Sequence, residues 1–139
     1  SCAHGTYFAP RAFEIPSLAT LTREVFGPVL HVVRYAAKDL DAVIGAINAT
    51  GYGLTLGIHS RIDSTVARIQ GRAKAGNCYV NRNMIGAVVG VQPFGGEGLS
   101  GTGPKAGGPH YLARFATERT LTINTTAAGG NASLLTLGT

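Results

Sequence analysis

Between residues 28 and 81 the chain alternates short apolar runs with longer stretches of helical periodicity, and few architectures accommodate that alternation. Residues 28–35 (Pro-Val-Leu-His-Val-Val-Arg-Tyr) are short and rich in β-branched side chains, predicting a largely buried strand entered through a proline turn. A helix follows. Asp39 stands at its N-cap, Leu40, Val43, Ile44 and Ile47 repeat at i, i+3, i+4 and i+7, and Gly51 can take a left-handed stop. Residues 54–60 form a second apolar run in which Gly57 marks a close approach or a bulge. The next helix begins near Asp63, turns Val66, Ile69 and Ala73 inward and Arg61, Arg68, Arg72 and Lys74 outward, and stops at Gly76. Residues 77–81 are then a third strand. Strand, helix, strand, helix, strand at these spacings predicts the α/β class, a parallel sheet covered by helices.

Beyond residue 81 the texture changes. Residues 83–108 hold nine glycines and two prolines, so no regular element is expected there, and a connection of this length is usually functional or disordered. Its apolar members, among them Met84, Ile85, Phe94 and Leu99, favour an ordered path over a packed surface. A short helix is expected within 111–119. Residues 119–125 alternate Leu121 and Ile123 with threonines, the pattern of an exposed edge strand, which needs a partner for its backbone groups.

Composition narrows the function classes. With 45% hydrophobic and 14% charged residues, persistent disorder is not expected, and 20 glycines without a Gly-X-Y period exclude collagen. The net charge of +5 permits acidic partners, but the 12 basic residues are scattered, so nucleic-acid binding is not expected. Cys2 and Cys78 lie at no metal-ligand spacing, which indicates neither a disulfide scaffold nor a zinc site and points to a reducing, cytoplasmic setting. His4, His31, His59 and His110 fall on different elements, so no metal site is expected. No signal peptide opens the chain, and residues 120–139, though uncharged, are too often interrupted by polar residues to span a membrane. The chain begins with Ser and no element of its own, so it reads as a segment of something longer.

Two constellations could carry chemistry. Glu24-Val25-Phe26-Gly27-Pro28 puts a carboxylate and an aromatic ring at a sheet end, where α/β proteins often bind ligands; the same residues also suit a plain strand-entry turn. The Gly-rich stretch offers unblocked backbone N–H groups that could form an anion-binding concavity, or merely a ligand-free connection, and it matches neither the phosphate loop nor the dinucleotide fingerprint. No Gly-x-Ser-x-Gly elbow suggests a hydrolase.

The motifs Glu24-Val25-Phe26-Gly27-Pro28-Val29 and Gln92-Pro93-Phe94-Gly95-Gly96, followed by Ser100-Gly101, resemble the C-terminal part of aldehyde dehydrogenases. The stretch from Asn81 through Gly96, with Gly107-Gly108-Pro109-His110-Tyr111, is similar to the L-glutamate γ-semialdehyde (pyrroline-5-carboxylate) dehydrogenase branch, most of all to the dehydrogenase half of bacterial bifunctional proline-utilisation proteins. This resemblance implies oxidation of L-glutamate γ-semialdehyde to L-glutamate with NAD, in proline degradation. It implies that Glu24 contacts the nicotinamide ribose, that Phe26 packs beside the nicotinamide, that Gly86 and Ala87 hold the substrate α-carboxylate through backbone N–H groups, and that Phe94 walls its aliphatic chain. FAD would belong only to a fused proline dehydrogenase domain, and membrane association only to regions outside this segment.

The resemblance divides the chain into the distal half of the catalytic domain (1–118), an oligomerisation-type strand (119–125) that would pair homologous subunits, and a tail or the start of a further region (126–139). The family's nucleophilic Cys precedes the Glu-x-Phe-Gly-Pro motif. Cys2 lies too near Glu24 to be it, so no catalytic residue is assigned and the isolated segment is expected to be inactive. The rival reading is a non-catalytic assembly module or an inert truncation, pairing with a full-length subunit through 119–125.

Overall fold

A computed structural model describes residues 4–86, 88 and 90–128. The expected anchor residue Ala87, Cys2 and residues 129–139 of the expected tail lie outside the described residues. Among those described, the strands are β1 (Arg11–Glu14), β2 (Val29–Val32), β3 (Tyr52–Gly53), β4 (Thr55–Ile58), β5 (Asn77–Val80) and β6 (Glu97–Gly98), and the α-helices are α1 (Leu40–Ala49) and α2 (Asp63–Gln70).

The centre of the fold is the β4–α2–β5 unit. Strands β4 and β5 pair in parallel, with Leu56 opposite Cys78 and Gly57 opposite Tyr79, and α2 makes the crossover. Helix α1 lays the predicted stripe inward, with Ile44 buried and Leu40, Val43 and Ile47 half-buried. Gly51 ends it at φ +76°, in the left-handed region that glycine enters without a Cβ penalty. Asp39 occupies the N-cap position but makes no side-chain cap; a 3-10 turn over Ala37–Asp39 leads into the helix instead. The buried hydrophobic core is Ile44 from α1, Ile58 from β4 and Tyr79 from β5.

Several expectations are corrected. The chain opens with a strand after all: β1 pairs in parallel with β2, Arg11 opposite Val29 through Glu14 opposite Val32. These two form their own sheet rather than joining β4 and β5, and β2 is mostly exposed, not buried. Its β-branched composition reports the capacity to be covered, not that the described residues cover it. Helix α2 stops at Gln70, before the predicted Gly76. The Asn48 side chain intercepts the chain just past the helix, donating to the Arg72 carbonyl at 2.9 Å and accepting from the Lys74 N–H at 2.8 Å.

The Gly-rich stretch is not wholly irregular either. Strand β6 pairs antiparallel with β3, and Phe94 bridges to Ala106. The expected helix within 111–119 is one 3-10 turn, Leu112–Phe115. Residues 119–125 are exposed over 119–124 and form no strand within this chain, because a ladder requires a neighbouring strand and none of the described strands lies beside them.

The chain exposes 11522 Å². A compact protein of its 14.3 kDa mass would expose roughly 6,800 Å² by the surface–mass scaling of folded monomers. Large apolar side chains, including Phe8, Val25, Phe26, Leu30, Phe115 and Leu121, contribute to the excess.

One ion-pair cluster ties the two helices. Asp41 of α1 receives Arg68 Nη2 at 2.6 Å and has Arg72 Nη1 at 2.7 Å. The hydrogen bond from Arg68 is the main reason that the Asp41 carboxyl is held below its ordinary value of 3.8, with Arg72 adding to it. A carboxyl lowered on folding stabilises the fold above its unfolded pKa and loses that contribution as pH falls through the folded value. Asp41→Asn is therefore expected to lower stability at neutral pH and to converge with the parent in acid, below the depressed pKa. Urea titrations at several pH values check this; parallel curves that never converge would count against it.

Candidate functional site

The Gly-rich connection is held against β5 by a small set of side chains, beginning at Gly76. A Cβ there would lie 2.8 Å from both the Gly95 carbonyl carbon and the Gly96 Cα, so glycine is what lets the two backbones meet. Lys105 clamps the seam. Its Nζ donates to the Gly76 carbonyl, to Asn77 Oδ1 at 2.9 Å and to the Gly95 carbonyl at 2.7 Å.

Asn77, the first residue of β5, completes the knot by donating to the Pro93 carbonyl at 3.0 Å and accepting from the Gly95 N–H at 3.2 Å. The half-buried Phe94 between them has both backbone groups paired with Ala106, at 3.0 and 2.9 Å. Phe94 is thus fixed by its neighbours on both sides and by the bridge.

The other end of the connection is fastened two residues along the same strand. Tyr79 is 7% exposed, and its hydroxyl donates to the Gly86 carbonyl at 3.2 Å while receiving Asn77 Nδ2 at 3.4 Å. Arg82 lies over the Tyr79 ring, 4.4 Å from its centroid. Opposite Tyr79 on β4, Gly57 leaves room for Met84, whose sulfur would stand 3.1 Å from any Cβ built there. The predicted close approach at Gly57 is therefore made by Met84.

Gly86 itself adopts φ +57°, is exposed, and has open space where a side chain would project. A ligand can come directly onto its backbone. The structure thus links two of the sequence-predicted residues, Gly86 and Phe94, through Tyr79 and Asn77.

Glu24 and Phe26 are not brought to that knot. Glu24 borders a cavity of about 480 Å³ between the segment around Leu18 and Leu21 and the C-terminal end of α1, with Ala46, Ala49 and Tyr52 on its walls. Glu24 and Tyr52 also border a second cavity of about 270 Å³ that reaches Lys74 and Ser100. Among the described residues, the Glu24 carboxylate has no hydrogen-bond partner and its oxygens are free to accept. Phe26, two residues along the chain, is 95% exposed and lines neither of these cavities.

Burial pushes the Cys78 thiol above its ordinary pKa, so it is a poor source of thiolate, as its place in an apolar strand suggests. Among the described residues no three His, Cys, Asp or Glu side chains gather into a metal site, and no helix is long and apolar enough to cross a membrane.

Asn77, Tyr79 and Lys105 are the site residues that sequence reasoning missed. A signal existed for each: Asn77 and Tyr79 alternate on one face of a predicted strand, and Lys105 is the one cation within the Gly-rich stretch. What they bond to could not be read from spacing, since beyond the bonds among themselves their partners are backbone groups of the connection they hold and of Gly76.

The aldehyde dehydrogenase family model matches residues 1–121. The chain is 66% identical over 116 residues to the bifunctional protein PutA of Klebsiella aerogenes, covering 84% of this chain and 9% of that protein. A variant of Bradyrhizobium japonicum Proline Utilization A superposes with a TM-score of 0.84 at 66% identity, over 91% of this chain and 13% of that one. The 1-pyrroline-5-carboxylate dehydrogenase from Thermus, solved with bound NAD, superposes with a TM-score of 0.66 at 42% identity, over 75% of this chain and 20% of that one. The chain therefore spans about a tenth of the PutA proteins that it matches. Matched over most of its length by the family model, the chain belongs to the aldehyde dehydrogenase family.

Proposed function

We propose that this chain is the substrate-anchoring part of an NAD-dependent dehydrogenase that oxidises L-glutamate γ-semialdehyde to L-glutamate. The observation that carries the reading is the pinned Gly-rich connection. Gly86, left-handed and open to a ligand, and Phe94, locked by its bridge, are held by one strand in a chain so similar to PutA and to 1-pyrroline-5-carboxylate dehydrogenase. A five-carbon amino-acid aldehyde needs an anion clamp at one end and an apolar wall for its methylenes. Backbone N–H groups at Gly86 and Ala87 supply the first with at most one methyl to obstruct approach, and the Phe94 ring supplies the second.

The family generally uses NAD(P), and an exposed carboxylate at Glu24 with an exposed ring two residues on at Phe26 suits a nicotinamide nucleoside. The carboxylate would accept hydrogen bonds from ribose hydroxyls and the ring would cover an apolar face. NAD, when bound, supplies the hydride acceptor. The extensive apolar surface fits a segment against which other parts of a catalytic domain pack, which is where the nucleophilic Cys of the family belongs. Residues 119–125, with Leu121 76% and Ile123 69% exposed, would pair with a second subunit as the oligomerisation strand, in a cytoplasmic enzyme.

The test is NAD reduction by the intact encoded protein with L-glutamate γ-semialdehyde and with pentanal, which has five carbons but no α-carboxylate. Two charge-assisted hydrogen bonds predict a kcat/KM preference of about a hundredfold or more for the semialdehyde. Equal use of both aldehydes would sink the substrate assignment.

A further inference from the structure

Resting on the reading just given, we infer that Asn77 and Tyr79 are positioning residues that set the span of the substrate clamp, by fastening its two ends to successive same-face positions of β5. Residues two apart on a strand point to one side and are separated by about 6.7 Å. At the first position, Asn77 holds the Phe94 end: its Nδ2 donates to the Pro93 carbonyl at 3.0 Å, and its Oδ1 accepts from the Gly95 N–H at 3.2 Å and from Lys105 Nζ at 2.9 Å. At the second, the Tyr79 hydroxyl donates to the Gly86 carbonyl at 3.2 Å. The side chains also touch each other, Nδ2 to hydroxyl, at 3.4 Å.

The rigidity of this ruler comes from the strand. Asn77 and Tyr79 sit opposite Thr55 and Gly57 in the parallel ladder with β4, and Tyr79 is core, so neither end can slide without breaking that pairing. Among the described residues beyond its chain neighbours, none lies within 4 Å of the place a Gly86 Cβ would occupy. Among the described contacts of Gly86, its carbonyl bond to Tyr79 is what aims the peptide. Neither side chain touches substrate; Tyr79 acts through the Gly86 peptide, and Asn77 through the backbone that carries the Phe94 ring.

Tyr79→Phe removes only the hydroxyl and keeps the ring in the core. In the intact encoded protein it is expected to lower the ratio of kcat/KM for L-glutamate γ-semialdehyde over that for pentanal about fivefold, through KM, since a neutral hydrogen bond contributes about 1 kcal/mol. Asn77→Asp keeps the acceptor toward Gly95 and Lys105 but loses the donor to Pro93, and is expected to lower the same ratio. Calorimetry with L-glutamate, the product, should show a parallel loss of affinity in Tyr79→Phe.

An unchanged ratio in both variants, or equal losses for the two aldehydes alongside a lower melting temperature, would overturn the positioning role while leaving the substrate assignment standing. A parent protein that neither prefers the semialdehyde nor binds glutamate would overturn the assignment itself, and the inference with it.

Discussion

Gly76→Ala is expected to be the most damaging single-methyl change in the described part of the chain. The new Cβ would stand 2.8 Å from the carbonyl carbon of Gly95 and from the Cα of Gly96, and both obstacles are backbone. A flexible side chain could swing away; two peptide units cannot. Their escape is blocked further by Lys105, which draws the carbonyls of Gly76 and Gly95 onto one ammonium group, and by Asn77, which holds the Gly95 N–H. Forcing a methyl into such a seam costs about 3 kcal/mol, the upper part of the range for overpacking, and more if the Lys105 bonds are lost with it. The check is the urea midpoint of the intact encoded protein, with limited proteolysis to report whether the 93–108 loop is cut first. A midpoint within error of the parent would mean that the seam opens easily, contrary to the bonding just described.

The second large effect is expected at Gly86→Pro, and it falls on function rather than stability. Proline fixes φ near −65° where Gly86 has +57°, and it deletes the N–H proposed to meet the substrate carboxylate. Among the described residues beyond its chain neighbours, none lies within 4 Å of the Gly86 Cβ position, so the new Cβ meets no packing obstacle there and the fold away from the loop should survive. One charge-assisted hydrogen bond contributes about 1.5–3 kcal/mol, so kcat/KM for L-glutamate γ-semialdehyde should fall by about 10- to 150-fold, and further if the reaimed peptide also misdirects Ala87. Pentanal, which makes no such bond, should be affected far less. Gly86→Ala keeps the N–H and adds only the strain of a left-handed residue, about 1–2 kcal/mol, and should fall between the parent and the proline variant. Equal activity of Gly86→Pro and its parent on the semialdehyde would remove this peptide from the clamp.

The two predictions differ in what made them visible. Gly86 is legible in the sequence through the resemblance of residues 81–96 to a dehydrogenase branch. By sequence alone Gly76 reads as the stop of α2. The helix ends at Gln70 instead, and Asn48, a residue with no distinguishing pattern, holds the backbone just beyond it at Arg72 and Lys74. Phe94 was legible as a motif member, whereas the bridge that fixes it to Ala106 was not, because the pairing spans twelve residues of Gly-rich chain without strand periodicity. Glu24 borders a cavity whose near wall is its own 18–23 segment, but the opposite wall comes from α1 and Tyr52, and no local pattern connects them to it.

Local periodicity was enough to establish the α/β class, the inward stripe of α1, the β4–α2–β5 order and the left-handed glycine at residue 51, since each depends on side chains within one turn or one strand. Tertiary structure alone decided that β2 pairs with β1 and not with β4, that β3 finds β6 across more than forty residues, and that Asn77, Tyr79 and Lys105 hold the loop. Those outcomes rest on backbone groups far apart in the chain choosing partners, and a backbone carbonyl carries no residue identity by which a sequence could announce the choice.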